Sequence, residues 1–172
     1  RPENQQIKAC EVPTDCSVAK RRQEDVQARW AKKYGVTHFG YKNHVNADVA
    51  HQIIRRYTVS DAARSESRVF DELLDPHNRR RAVWADAAYR SRDRVKALTA
   101  GGYRAHLQRQ AQANAPLTPR QRATNRHWAR VRCHIEHVFA QQRLFQQRLV
   151  RTIGLARAEV KIGLFNLGYN LR

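Results

Sequence analysis

From His38 to Val49 the side chains alternate. Phe39, Tyr41, Val45, Ala47 and Val49 hold one parity, while His38, Lys42, His44, Asn46 and Asp48 hold the other. A period of two is the pattern of a half-buried strand, because successive side chains of a strand point to opposite faces. The segment Gln52–Val59 repeats the habit with Ile53, Tyr57 and Val59. A short turn near Asp48 to His51 makes the two segments a hairpin, and so commits this chain to a sheet.

The rest of the pattern supplies what surrounds that sheet. Ser65 or Ser67 can cap a helix whose Val69, Phe70, Leu73 and Leu74 share a face, and Pro76 ends it. RAVWADAAY, residues 81–89, is a short apolar run predicting a buried strand that stops at Asp86. Ser91 caps a helix with Val95 and Leu98 inside, stopped by Gly101 and Gly102. Tyr103, Ala105 and Leu107 then alternate with Arg104, His106 and Gln108 as a further strand, followed by a polar linker to Leu117. Thr118 and Pro119 are a cap and first-turn pair. They open the longest helical pattern, with Trp128, Val131, Ile135, Val138, Phe139, Gln142 and Phe145 on one stripe through about Gln147. Ala156 to Leu171, with Val160, Leu164, Phe165 and Leu167, is a last apolar helix. Residues 1–37 read as an N-terminal arm with one helix from Ser17 to Lys33, and residues 38–172 as one mixed α/β domain.

Charge narrows the partners. The 172 residues carry 33 Lys plus Arg against 15 Asp plus Glu, a net +18, and the split is uneven. Residues 1–76 hold 13 basic and 11 acidic side chains; residues 77–172 hold 20 basic and 4 acidic, a net +16. Such a surface attracts polyanions, nucleic acid first and an anionic membrane second, against the plain alternative of a solvated basic face. Hydrophobic residues at 41% exclude a disordered tail. No run reaches a membrane span and none resembles a signal peptide, so the chain reads as soluble and intracellular. It contains no Met and opens on Arg1, which reads as a processed chain or a piece of a longer one. Cys10, Cys16 and Cys133 match no disulfide or zinc spacing and read as reduced thiols.

With four acids after residue 76, two stand out. Asp86 closes an apolar strand. Glu136 has Arg132 one turn before it and Arg143 two turns after, and at about 100° per residue the three lie within about 40° on the rim of the apolar stripe. The plain reading of Arg132 and Glu136 is a surface ion pair worth a few tenths of a kcal/mol. The chemical reading is a pair of carboxylates able to hold Mg²⁺ for phosphoryl transfer on DNA, with Arg gripping phosphate. Two carboxylates are a thin ligand set, and a third is expected.

The strings FGYKNHVNAD, IRRYTVSDAARSESRVFDELLD, VWADAAYRS, RVRCHIEHVF and LVRTIGLARAEVKIGLFNLGYNLR closely resemble the catalytic part of bacterial insertion-sequence transposases of the DDE class, the insertion sequence 5 group. The resemblance runs from about Asn4 onward. It implies a ribonuclease H-like mixed sheet flanked by helices, with Asp86 as the second catalytic Asp, Tyr89 three residues on, and Glu136 as the catalytic Glu. Asp86 and Glu136 would bind Mg²⁺ or Mn²⁺, while Arg132, Arg143 and Tyr89 would meet DNA phosphate; Arg143 stands where the family has Lys, and Ala129 where it has Tyr. The implied partners are the terminal inverted repeats and a target duplex, in the bacterial cytoplasm at the nucleoid, and a homodimer is left open. The first catalytic Asp belongs to a central first strand expected upstream of Arg1, so two inner strand edges are expected to lack a partner. Asp48 and Asp61 are stand-ins by charge, with turn and helix-cap roles as the alternative. The function this implies is DNA transposition, the parent enzyme cutting and joining DNA, with the chain alone inactive. The competing readings are a non-catalytic DNA-binding remnant and an RNA-associated basic protein.

Overall fold

The structure, a computed structural model, describes residues 5–7, 9, 11, 17–33, 35–78, 80–145 and 152–172, without the side chains of 21, 33 and 143–145. Cys10 and Cys16 lie outside the described residues. Cys133 is a free, exposed thiol.

The alternating segments form the hairpin their period predicts. Strands β2 (Val36–Ala47) and β3 (Ile54–Asp61) run antiparallel in a register that pairs Tyr41 with Asp61 and Val45 with Tyr57, with an irregularity between Asn46 and Ala47. Asp48 makes the turn, its carboxylate accepting from the backbone N–H groups of Ala50 and His51 at 2.8 Å. Both faces of β2 are covered, so the polar parity is not simply solvated. On one face lies helix α2 (Glu66–Leu73), where His44 is buried against Ser60 at 2.8 Å and Asn46 donates to the Leu73 carbonyl. On the other, Val45 and Ala47 pack on a core of Ile54, Val138 and Tyr169.

The arm differs from its expectation. Helix α1 covers only Val18–Gln23, and Arg29–Lys33 is strand β1, paired with Val36–Gly40 of β2 in place of the helix expected through Lys33. Gly35, at φ +80°, turns the chain between them, a conformation that only glycine adopts without strain.

The apolar run before Asp86 is strand β4 (Ala82–Ala85), followed by a 3₁₀ turn (Ala87–Tyr89), helix α3 (Arg92–Ala100) and strand β5 (Arg104–Leu107). Strands β4 and β5 are parallel, as a helical crossover requires. Ser91 caps α3 by accepting from the Arg94 N–H, and Gly101 and Gly102 end it. Phe70, Leu98 and Leu107 form a second core with Val83 and Ala85 on one face of this unit.

The longest helical pattern is divided. Helix α4 (Pro119–Arg132) opens with a capping box between Thr118 and Gln121, stops at Cys133, and α5 (His134–Phe145) follows. Cys133 donates its N–H to the Ala129 carbonyl, while its own carbonyl accepts from Glu136 three residues on, a tightened turn in place of one continuous helix. Helix α6 (Leu155–Asn170) closes the sheet, with Ala158, Ile162, Asn166 and Tyr169 facing inward. Asn170 clamps Ile54, accepting from its N–H and donating to its carbonyl, both at 2.8 Å.

The result is a mixed α/β domain with antiparallel and parallel sheets flanked by helices, ribonuclease H-like in arrangement. Among the described residues the two sheets are not hydrogen-bonded to each other. β1 reaches only as far as Gly40 along one edge of β2, and β4 pairs only with β5. The gap between the sheets is lined by Asp86 and Glu136, the two acids singled out above.

Candidate functional site

Asp86 sits at the C-terminal end of β4, where a strand delivers a side chain to the sheet's margin. Its carboxylate is exposed and accepts the Ala87 N–H at 2.6 Å, capping the 3₁₀ turn. That single local bond fixes its direction and leaves lone pairs free for a ligand.

Tyr89, three residues on, turns inward. Its ring lies 5.4 Å from Phe70, and burial, reinforced by the charge of Glu66 and a hydrogen bond to it, pushes the phenol well above its ordinary pKa. The hydroxyl is therefore a donor to Glu66 throughout the physiological range. In this arrangement Tyr89 braces the Asp86 turn against α2, and its hydroxyl is already engaged.

Glu136 stands one residue group across the break between α4 and α5. Arg132 Nη2 donates to Glu136 Oε1 at 3.2 Å, with the carboxylate side chain 64% exposed and the guanidinium 29%. An exposed i to i+4 pair of this kind adds little stability, so its worth is positional. Arg132 Nε is buried without a hydrogen-bond partner, a spare donor beside the carboxylate. Arg143 lies in α5 with its side chain outside the described residues.

These elements line an open cleft of about 1290 Å³. One wall is β2 from Gly40 to Asp48, the opposite wall is β4 through Asp86, and Arg132, Ile135 and Glu136 close it from the helices. Asp86 and Glu136, chosen from sequence for separate reasons, thus face one space, with Tyr89 and Arg132. Glu66 lines the same cavity and was not singled out from sequence. In the first turn of α2 it reads as an ordinary partner of the helix dipole, and only packing against Tyr89 reveals its neighbours.

The stand-ins behave as structural caps. Asp48 lines the cavity, but its carboxyl is held below the ordinary range by the His51 N–H first, and then, against some burial, by Ala50 and the His51 ring. Asp61 accepts the N–H groups of Ala63 and Arg64 at 2.9 and 3.1 Å. Asp75, also on the cavity wall, is bound to Arg55 at 2.6 Å; burial opposes ionisation there, but the Arg55 and His77 contacts prevail and its carboxyl titrates below the ordinary range. His44 is kept neutral by burial first, with Lys42 and Arg64 nearby adding to the effect and Glu66 opposing it.

Exposed carboxylate oxygens suit a hard divalent cation. Yet among the described residues no group of three or more His, Cys, Asp or Glu comes together at metal-holding range. Among the described residues the exposed acids offered toward such an ion are Asp86 and Glu136, the latter shared with Arg132.

A second feature escaped the sequence reading, which spread the positive charge over the whole second half. Arg122, Arg126 and Arg130 are one turn apart on the exposed side of α4, a helix without a single acidic residue. Residues four apart rise about 6 Å along a helix, so the three cations form a row on the exposed side of α4, the helix whose C-terminal Val131 and Arg132 line the cavity.

A family model described as a transposase DDE domain matches residues 6–171. A transposase for insertion sequence element IS1106, from Neisseria meningitidis serogroup B, is 28% identical over 149 residues, covering 86% of this chain and 51% of the relative. The chain spans about half the length of that curated relative. No solved structure matches it. No helix among the described residues is long and apolar enough to cross a membrane.

Proposed function

The chain belongs to the transposase DDE domain family, and from that premise we propose that it carries two of the acids of a DNA-cutting and joining centre, Asp86 and Glu136. The observation that supports this is their convergence on one cavity from the end of β4 and the start of α5, with Arg132 beside them. The reaction is DNA transposition: in-line attack on a phosphodiester at the element's ends, first by water and then by a freed 3′-hydroxyl on a target duplex.

Asp86 and Glu136 would hold Mg²⁺ or Mn²⁺, whose chemistry there would be to activate the attacking oxygen and stabilise the leaving one. Arg132, held by Glu136 through Nη2, offers the exposed end of its guanidinium to a phosphate oxygen, and Arg143, two turns after Glu136 in sequence, serves the same purpose. Tyr89 keeps the Asp86 turn in place through Glu66. The row Arg122, Arg126 and Arg130 holds the strand as it approaches. A second reading, a DNA-binding domain without catalysis, is favoured by the lack, among the described residues, of three ligating side chains brought together at metal-holding range.

The test is duplex binding by fluorescence anisotropy across a salt series, with nicking followed on a terminal-repeat duplex. Binding should weaken steeply with salt, and Arg126→Ala should reduce the slope of log K against log salt by about 1. Divalent cation should tighten binding in the chain and not in Asp86→Ala or Glu136→Ala. No duplex binding at low salt would end the DNA reading. Cation effects identical in all three proteins would leave only the non-catalytic one. Nicking by the chain that Asp86→Ala abolishes would show that two acids suffice.

A further inference from the structure

Helix α6 is apolar on two opposite sides, and only one of them is covered. Ala158, Ile162, Asn166 and Tyr169 face the sheet. Val160, Leu164, Leu167 and Leu171 are exposed by 66%, 63%, 54% and 77%. At about 100° per residue these four lie within about 60° of one another, centred opposite the buried set. A helix that is hydrophobic all round is normally buried all round.

We propose that the outer face of α6 is a self-association surface, taking α6 of a second copy of this chain in antiparallel, two-fold packing. The proposal names the surface for the homodimer left open above, and it rests on α6 alone, so it can fail while the DNA reading stands.

Three observations select this occupant. The spacing of four, three and four is the repeat by which two helices interdigitate along a shared seam. With the two-fold axis between Leu164 and Leu167, Val160 meets the partner's Leu171 and Leu164 meets the partner's Leu167, so one stripe is its own complement.

Charge then sets the direction. Arg157 lies on the same seam one turn before Val160, and parallel packing would stack it on its own copy. Antiparallel packing carries Arg157 to the C-terminal end of the partner helix, where unsatisfied carbonyls favour a cation. Lys161, the nearest flanking charge, is then far from its counterpart.

The area is also appropriate. Exposed residues of this size present about 170–200 Å² each, so the stripe offers roughly 500 Å² per chain and about 1,000 Å² across a symmetric pair, the lower bound for a specific interface. A duplex offers nothing to such a face, since phosphate and base edges call for donors and cations.

The expected dimer is therefore weak to moderate and has a distinctive salt response. Two chains of net +18 repel each other. Screening relieves that repulsion, so association should strengthen with salt, whereas any association bridged by nucleic acid should weaken.

The test is sedimentation equilibrium of the nuclease-treated 172-residue chain at about 50, 150 and 500 mM salt. A monomer–dimer equilibrium that tightens with salt is expected. Leu164→Lys should raise Kd at least about tenfold, as should Leu167→Lys, because each places a cation in an apolar seam. Both sites are exposed, so circular dichroism should be unchanged, as should melting at concentrations low enough that the unaltered chain is itself monomeric. Val36→Lys, on the distant hairpin and similarly exposed, should leave the dimer intact. Duplex binding should survive in Leu164→Lys at the level of the monomer. A chain that stays monomeric at 100 μM and 500 mM salt overturns the proposal, as does a dimer indifferent to both Lys variants or one that dissociates with added salt.

Discussion

Asn166 is the residue whose loss should be felt most for its size. It is 2% exposed on α6, and its carbonyl oxygen accepts from Gln142 Nε2 at 2.7 Å and from Asn43 Nδ2 at 2.9 Å. Three elements, β2, α5 and α6, are joined through that one oxygen. Leucine keeps the same branched skeleton of four heavy atoms but is bulkier, so Asn166→Leu removes the acceptor from two donors, of which Asn43 Nδ2 keeps only a long contact to Gln142 Oε1 at 3.5 Å, and adds some overpacking. Each buried donor left without a partner costs about 1–3 kcal/mol, giving a loss of roughly 2–6 kcal/mol for the two. For a chain of this length about 2–4 °C of Tm is lost per kcal/mol, so the fall should be roughly 4–24 °C. Urea denaturation should show a lower midpoint with an unchanged slope. The double variant with Gln142→Leu removes one stranded donor and should be less destabilised than the sum of the two single changes, by about 0.5–3 kcal/mol. A loss below about 1 kcal/mol, or strict additivity in the double variant, would refute the claim that this oxygen is a shared buried acceptor.

Two further outcomes test the frame around the site. Asp25 accepts from Tyr41 at 2.7 Å, from Gly154 N–H at 2.9 Å and from the N–H groups of Gln27 and Ala28 at 3.0 Å. Burial resists its ionisation, but the Gly154, Tyr41 and other donors outweigh it and depress the carboxyl below the ordinary 3.8. Its contribution is therefore complete above about pH 4 and lost as pH falls through the depressed value. Asp25→Asn should lower stability at pH 7 and flatten the acid limb below about pH 4, and an unaltered slope between pH 5 and 2 would count against it. Leu107, fully buried at 0% beneath α3, should cost about 2–5 kcal/mol as Leu107→Ala while leaving duplex affinity unchanged where the protein is still folded, measured by melting and anisotropy together.

The hairpin was legible because a period of two survives for eleven residues and ends in an Asp that makes its own turn. The α3 boundaries were equally plain, since Ser91, Gly101 and Gly102 act through local bonds. Strand β1 was not, because Arg29, Trp30, Lys32 and Lys33 have no inner face of their own and become a strand only by pairing with β2. The division of the long helix at Cys133 leaves no mark either, since neither Gly nor Pro is there and the tightened turn is a matter of packing. For the site, Asp86 and Glu136 were visible as rare acids in a basic half. Glu66 was not, because it is one of many acids before residue 77 and its contact with Tyr89 spans distant segments.

The clamp of Asn170 on Ile54 also bears on how this protein behaves in a crowded solution. β3 is the outer strand of its sheet, and an outer strand offers bare amides and carbonyls to any extended chain that drifts past. At Ile54 both groups are already taken by a side-chain amide that imitates a neighbouring peptide unit. A foreign strand trying to extend the sheet there would have to displace a bidentate partner built into the same molecule. That guards against accretion into fibres on this side without a proline, and it works beside the ladder irregularity at Arg55 and the charges of Arg55 and Arg56 that follow.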